Sequence, residues 1–226
     1  AVAVGVVLAA LQHAVGIESL IIYSPFIFAR AGVRSARGAI AGTVGMGLIK
    51  LAAESYALLN VDRIGRRPLL LVGAAGITLS LLCLGAAIGA SSSIGQAGPA
   101  TAFVYIAVGA YMAFHALSLG PVTWLVLAEI FPSSVRGKAM GIATTANRAT
   151  SFVTAYTFLT LCERLDWAGT FYVYALFAAF AFVFYALFVP ETTGLPLEQI
   201  ETQFSRPRAL VRANLATLSA RAIFAE

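Results

Sequence analysis

Six apolar blocks, each long enough to cross a lipid bilayer as a helix, leave this chain few ways to fold. They cover residues 2–23, 38–61, 68–90, 102–128, 139–162 and 170–189. A helical crossing takes about 20 apolar residues at about 1.5 Å of rise each. Strands of a membrane barrel would alternate polar and apolar over about ten residues, and these blocks do not. The pattern predicts an all-α membrane protein, with six transmembrane helices in residues 1–190 and a polar tail over 191–226. Composition agrees: 60% of residues are hydrophobic and 11% charged, with a mean hydropathy of +0.87. A soluble domain is about 45–50% apolar and about 25% charged. A water-soluble enzyme is therefore excluded, and so is a disordered chain, which needs low hydrophobicity.

The breaks between blocks are polar. They fall at 30–37, 62–67 (DRIGRR), 91–99, 131–138 (FPSSVRGK) and 163–169 (ERLDWAG). Six crossings put both chain ends on one side. That side carries Arg63, Arg66, Arg67, Arg136, Lys138, Arg206, Arg208, Arg212 and Arg221, against Arg30, Arg34, Arg37 and Arg164 opposite. Basic residues accumulate in cytoplasmic loops, so the richer side is expected to be cytoplasmic. From residue 195 onward the tail could form a basic amphipathic helix on the inner membrane surface or run as a solvated segment. The net charge of +5 comes without a compact basic run interleaved with aromatics, so no nucleic-acid partner is expected. Cys83 and Cys162 lie inside apolar blocks, which argues against a disulfide or a metal site. The chain opens at Ala1 within an apolar run, without a basic segment and cleavage site. This reads as a fragment or processed product, not as a signal peptide.

Ionisable groups within a span cost about 2.5–3.5 kcal/mol each, so they usually face a cavity or a partner. Here they are Glu18, Lys50, Glu54, His115 and Arg148, with Gln12 and His13 beside them. Their absence from the third and sixth blocks points to a polar pathway lined by the first, second, fourth and fifth. Gln12, Gly16, Ser19 and Tyr23 share a helix face, whereas Glu18 lies about 120° from Gln12. For Glu18 to join them the helix must bend, and Gly16 is the natural place. Gln12 and His13 could instead bond to neighbouring helices as glue. Lys50 and Glu54 are spaced to pair with each other. His115 reads as a packed contact residue. Gly120 and Pro121 predict a hinge in the fourth span, and Trp124 offers a stacking face for a sugar-like ring. Asn147 presents both donor and acceptor, which suits polyhydroxyl ligands. Arg148 needs a carboxylate or water, with Glu18 and Glu54 as candidates. No catalytic constellation and no cofactor motif is present.

Four motifs in order resemble the sugar porter branch of the major facilitator superfamily, over about residues 1 to 201. Residues 12–32 (QHAVGIESLIIYSPFIFARAG) resemble its seventh-helix signature. DRIGRR resembles the loop between helices eight and nine, residues 120–138 (GPVTWLVLAEIFPSSVRGK) the tenth helix with its loop, and residues 190–201 (PETTGLPLEQIE) the segment after the last helix. His13, Glu18, Lys50 and the Asn147–Arg148 pair look most like plant polyol/monosaccharide transporters.

The resemblance implies a twelve-helix carrier of which this chain matches the C-terminal half-bundle, with substrate bound between the halves. By motif position, Gln12, His13, Glu18, Tyr23, Lys50, Trp124 and Asn147 would contact substrate. Ile22 replaces the first of a tyrosine pair, and Ala116 stands where some relatives have a carboxylate. These departures leave polyols and several monosaccharides open. Asp62, Arg63, Gly65, Arg66, Arg67, Glu129, Arg136 and Glu191 would form a gating network at the inner mouth, although the arginines could also serve only topology. The implied partners are a small polyhydroxyl substrate, protons, the lipid bilayer and the N-terminal half, with no cofactor. The family's proton-linked acid belongs to the first helix, upstream of this sequence. The plasma membrane is favoured over the vacuolar one. A truncated or assembly-dependent membrane protein without transport is the other reading.

Overall fold

The computed structural model describes residues 1–33, 35–90, 99–204 and 207–223. Arg34, the break at 91–98, Arg206 and residues 224–226 lie outside the described residues, as does the side chain of Arg221. Every element assigned among the described residues is an α-helix.

The first crossing is broken, as its sequence predicts. It consists of α1 (Val2–Ala14), α2 (Ile17–Ile22) and α3 (Ser24–Arg30). The break falls on Gly16, whose φ of +86° is left-handed, a conformation that a side chain disfavours. A Cβ here would also sit 2.8 Å from the ring of Tyr174. Broken backbone at membrane depth must find partners within the protein. The Tyr111 hydroxyl supplies one, donating to the carbonyl of Val15 at 3.0 Å. Tyr23 does not end the span as expected, because α3 continues for another seven residues.

α4 (Ala36–Ile64) starts at Ser35, whose hydroxyl accepts the Gly38 N–H at 3.0 Å. It contains Asp62 and Arg63, and α5 (Arg66–Gly89) begins two residues beyond its end. The expected DRIGRR loop is therefore one residue long, Gly65, with φ +96° and ψ 153°.

The fourth crossing is also broken, between α6 (Pro99–Leu117) and α7 (Leu119–Ile130). The hinge lies at Ser118 (φ −130°, ψ −85°) and not at Gly120–Pro121. Proline lacks an N–H and crowds the carbonyl four residues earlier, which is that of Leu117, so α6 stops there. Gly120 and Pro121 become first-turn residues of α7, where an absent donor costs little.

α8 (Arg136–Phe188) holds two expected crossings in 53 residues. A straight helix of that size would be about 80 Å long. Instead the chain reverses at Asp166 (φ 57°, ψ 178°). The Tyr174 hydroxyl consequently reaches the carbonyl of Thr154 at 3.2 Å, and the arms 136–165 and 167–188 lie side by side. The Asp166 carboxylate accepts the Gly169 N–H at 3.2 Å, which fastens the turn. No open loop at 163–169 is needed. Among the described residues the six expected crossings appear as five long apolar helical stretches, the last of which folds back on itself and holds two of them.

α5 packs on α8 and α6, α1 on α8 and α7, and α4 on α6. Leu8, Leu20, Leu70, Ile77, Leu119, Val126 and Phe158 are fully buried at the centre. α4 is different: its most apolar stretch is 11% buried, against 61% for the first crossing.

The tail forms α9 (Leu197–Phe204) and α10 (Pro207–Ile223). It is not a free solvated segment, because Asn214 is buried and its amide donates to the carbonyls of Leu187 (2.9 Å) and Val189 (3.3 Å). These carbonyls at the end of α8 have no helical partner of their own, so α10 docks on the bundle by capping α8.

Candidate functional site

Two polar constellations stand out, one within the apolar bundle and one at its Arg-rich end. The first joins α1, α2, α7 and α8. The Gln12 amide donates to the carbonyls of Leu119 (2.8 Å) and Gly120 (2.9 Å), at the start of α7. Its carbonyl accepts from Asn147 at 2.6 Å, and Asn147 also donates to the Ala9 carbonyl at 2.8 Å. The Asn147 Oδ1 accepts from Arg148 Nε (3.0 Å) and Nη2 (2.6 Å). Arg148 Nη2 lies 3.0 Å from His13 Nε2. His13 Nδ1 faces Glu18 Oε1 at 3.6 Å. A continuous helix would hold His13 and Glu18 about 140° apart. The left-handed Gly16 between them turns Glu18 back, which is how local backbone chemistry builds this part of the site.

The five side chains form one unbroken sequence, Gln12–Asn147–Arg148–His13–Glu18. Gln12, Asn147 and His13 are buried, whereas Arg148 is exposed and the Glu18 side chain is 29% exposed. The two amides share one bond and are otherwise taken up by backbone carbonyls and Arg148, so a substrate hydroxyl can reach them only by displacing one of these bonds. Arg148 takes neither Glu18 nor Glu54 as a direct partner among the described residues; it takes Asn147 and His13. His115 is a brace, with Nε2 3.3 Å from the backbone carbonyl of Gln12.

Three expected contacts stand apart from this sequence. Tyr23 stacks on Phe158 (centroids 4.8 Å apart) and donates to the Ala155 carbonyl at 3.3 Å. Lys50 pairs with Glu54 at 3.8 Å on α4. Trp124 lines a separate cavity of about 410 Å³ between α4 and α7, bordered by Asp62, Arg66 and Pro121.

The second constellation centres on Arg66, a buried guanidinium. It meets Asp62 at 2.8 Å and Glu129 Oε1 through Nε (3.1 Å) and Nη2 (2.9 Å), and it donates to the Thr193 hydroxyl at 3.3 Å. Thr192 donates to Glu129 Oε2 at 2.5 Å. Glu191 accepts the backbone N–H of Arg66 (3.0 Å) and of Arg67 (3.3 Å). These are orphan donors at the start of α5, where the helix dipole also favours a carboxylate. Arg67 turns to the tail, donating to Ala186 O (2.8 Å), Asn214 O (2.9 Å) and Thr217 Oγ1 (2.8 Å). Two expected members stay outside. Arg63 is exposed with no ion pair among the described residues. Arg136 donates to the Phe131 carbonyl at 3.2 Å, closing its own turn.

Gly65 is required here twice. Its dihedrals fall in a region close to glycine-only, and a Cβ would stand 2.7 Å from Glu191 Oε2. Gly65→Ala is expected to cost about 1–3 kcal/mol, read as a lowered melting temperature in detergent. Combined with Glu191→Ala the losses should be less than additive, because both changes remove one contact. Full additivity would refute the shared contact.

Sequence reading missed the hydroxyls of Thr192 and Thr193, the Ser19–Tyr174 contact (3.1 Å) and Asn214. The two threonines stood in a noted motif, PETT. Nothing local marked Ser19 or Asn214 as bonded across the fold.

A multi-pass helical membrane protein, with two crossings broken around a partly buried polar series, is the class that fold and site define. The family described as "Sugar (and other) transporter" matches residues 1–204. The chain is 34% identical to the probable metabolite transport protein CsbC of Bacillus subtilis, over 90% of this chain and 43% of that protein. It is 37% identical to the putative polyol transporter 1 of Arabidopsis thaliana, over 85% of this chain and 38% of the relative. Its fold matches the E. coli proton:xylose symporter XylE, solved with 6-bromo-6-deoxy-D-glucose, at a TM-score of 0.77 and 32% identity, covering 89% of this chain and 42% of XylE. The chain belongs to the sugar transporter family of the major facilitator superfamily, whose members matched here are carriers and not enzymes. It spans roughly two fifths of the length of these relatives.

Proposed function

We propose that this chain forms the C-terminal half of an alternating-access carrier for a monosaccharide or polyol, driven by protons. The observation that carries the reading is the linked polar series from Gln12 to Glu18, buried at Gln12, His13 and Asn147 and placed where broken helices meet. Polar and charged groups within a membrane are costly and mark substrate or ion pathways, and donor–acceptor amides match hydroxyl-rich ligands. Tyr23, Lys50 and Trp124 would complete the contacts once an N-terminal half closes over this face. The thinly covered α4 supports such a partner. The relatives named for polyol and xylose transport support the substrate class, and XylE, a proton symporter, supports coupling.

The Arg66 cluster acts as the inner gate. With the Arg-rich end cytoplasmic, it ties α4, α5, α7 and the segment after α8 together, and inward opening separates them. The plasma membrane is the proposed location.

Uptake of labelled sorbitol, inositol and hexoses into vesicles tests the reading. The chain alone is expected to transport none of them, and uptake should appear when the N-terminal half is joined to it. Uptake by the chain alone, or none from the joined protein, would overturn the proposal.

A further inference from the structure

We infer that His13 is a proton-binding switch in this half of the carrier, with Arg148 as the element it releases and Glu18 as its counter-charge. The inference rests on the transport reading above and deepens it. A guanidinium carries only donors, so the 3.0 Å approach of Arg148 Nη2 requires His13 Nε2 to accept. The ring proton then sits on Nδ1, which is buried and has no hydrogen-bond partner. Glu18 Oε1 lies beyond it at 3.6 Å, too far for a hydrogen bond and near enough for charge attraction. Neutral His13 thus holds Arg148 but leaves its own N–H and the Glu18 carboxylate incompletely matched.

A proton arriving at Nε2 reverses this arrangement. The imidazolium has two donors and no acceptor, so the Arg148 bond cannot survive. The new cation pairs with Glu18, and Arg148 keeps its own charge and swings away. No electron moves, and the proton leaves from the same nitrogen in the reverse step. Arg148 also fills the Asn147 carbonyl, and Asn147 in turn fills that of Gln12. Releasing Arg148 therefore frees the Asn147 carbonyl for a ligand hydroxyl. Proton and polyol each favour the same rearranged state, and such coupling is reciprocal.

The charged and titratable groups near His13 come from several elements. From α2 it meets Glu18, and from α8 Asn147 and Arg148. The titratable group of α7, Glu129, belongs to the inner gate. His115 on α6 lies across the Gln12 backbone, and Lys50 of α4 is paired with Glu54.

The test is polyol uptake by the full-length carrier in proteoliposomes, with KM measured across the range from about pH 5 to 8 in which histidine titrates. Wild type should bind polyol more tightly at acid pH, by about fivefold or more. His13→Gln keeps an acceptor for Arg148 but cannot titrate, so its KM should become independent of pH. Glu18→Gln removes the counter-charge and should move the acid limb down by about one pH unit or more. If His13→Gln is lost from the membrane, the Glu18→Gln shift carries the test by itself. Wild-type uptake with an unchanged profile in these variants overturns the switch and leaves the transport reading intact. No uptake by wild type at any pH overturns the transport reading and the switch together.

Discussion

Arg66→Ala in the joined carrier is expected to leave the inner mouth unable to close. The guanidinium is buried and bridges Asp62, Glu129 and Thr193. Removing one partner of a buried pair is strongly destabilising, by about 3–5 kcal/mol, because the other charge is left uncompensated. Here that charge is Glu129, whose side chain is 19% exposed. The Asp62 side chain is 81% exposed, and its contact adds little. A two-state carrier shifts by as much as a change favours one state over the other. The loss should therefore register mainly in the closed-inside state. Cysteine accessibility measured from the cytoplasmic side reads the shift directly. Arg66→Lys should restore it only in part, since an ammonium cannot reproduce the fork toward Glu129. Unaltered accessibility in Arg66→Ala would leave topology as the residue's role.

Gln12→Ala is expected to weaken substrate affinity by about tenfold or more, which corresponds to about 1.4 kcal/mol. The side chain joins α1 to the first turn of α7 and to Asn147. Truncation strips Asn147 of an acceptor inside an apolar bundle, and a buried group left unpaired costs about 1–3 kcal/mol. Part of the loss should therefore appear as a lowered melting temperature without ligand. Asn147→Ala should resemble it, and the double variant should fall short of the sum, since one bond is shared. Unchanged affinity in Gln12→Ala would remove this sequence of side chains from the substrate path.

The membrane class, the number of crossings and the break at Gly16 were legible in the sequence because each is a local property. Block length reports bilayer thickness, and a glycine beside misaligned polar residues reports a bend. The hinge in the fourth crossing was legible only to within a few residues. Proline dictates that a helix must break, but the carbonyl it crowds lies a turn earlier, so the break fell on Ser118. The motif at 62–67 was recognisable as a charge cluster, yet its division was not. Arg66 turned to Glu129 and Asp62, Arg67 turned to the tail, and Arg63 stayed in the open.

By itself the sequence determined that this chain crosses a membrane as helices and carries the marks of a sugar carrier. The tertiary structure decided which polar groups meet. Glu18 and Glu54 were equal candidates for Arg148 on paper, and the fold chose His13 and Asn147 instead. The physical reason is that cost and pairing are separate quantities. Composition shows that a buried charge needs a partner, whereas the partner is set by helix rotation and by one left-handed glycine, which only the assembled bundle defines.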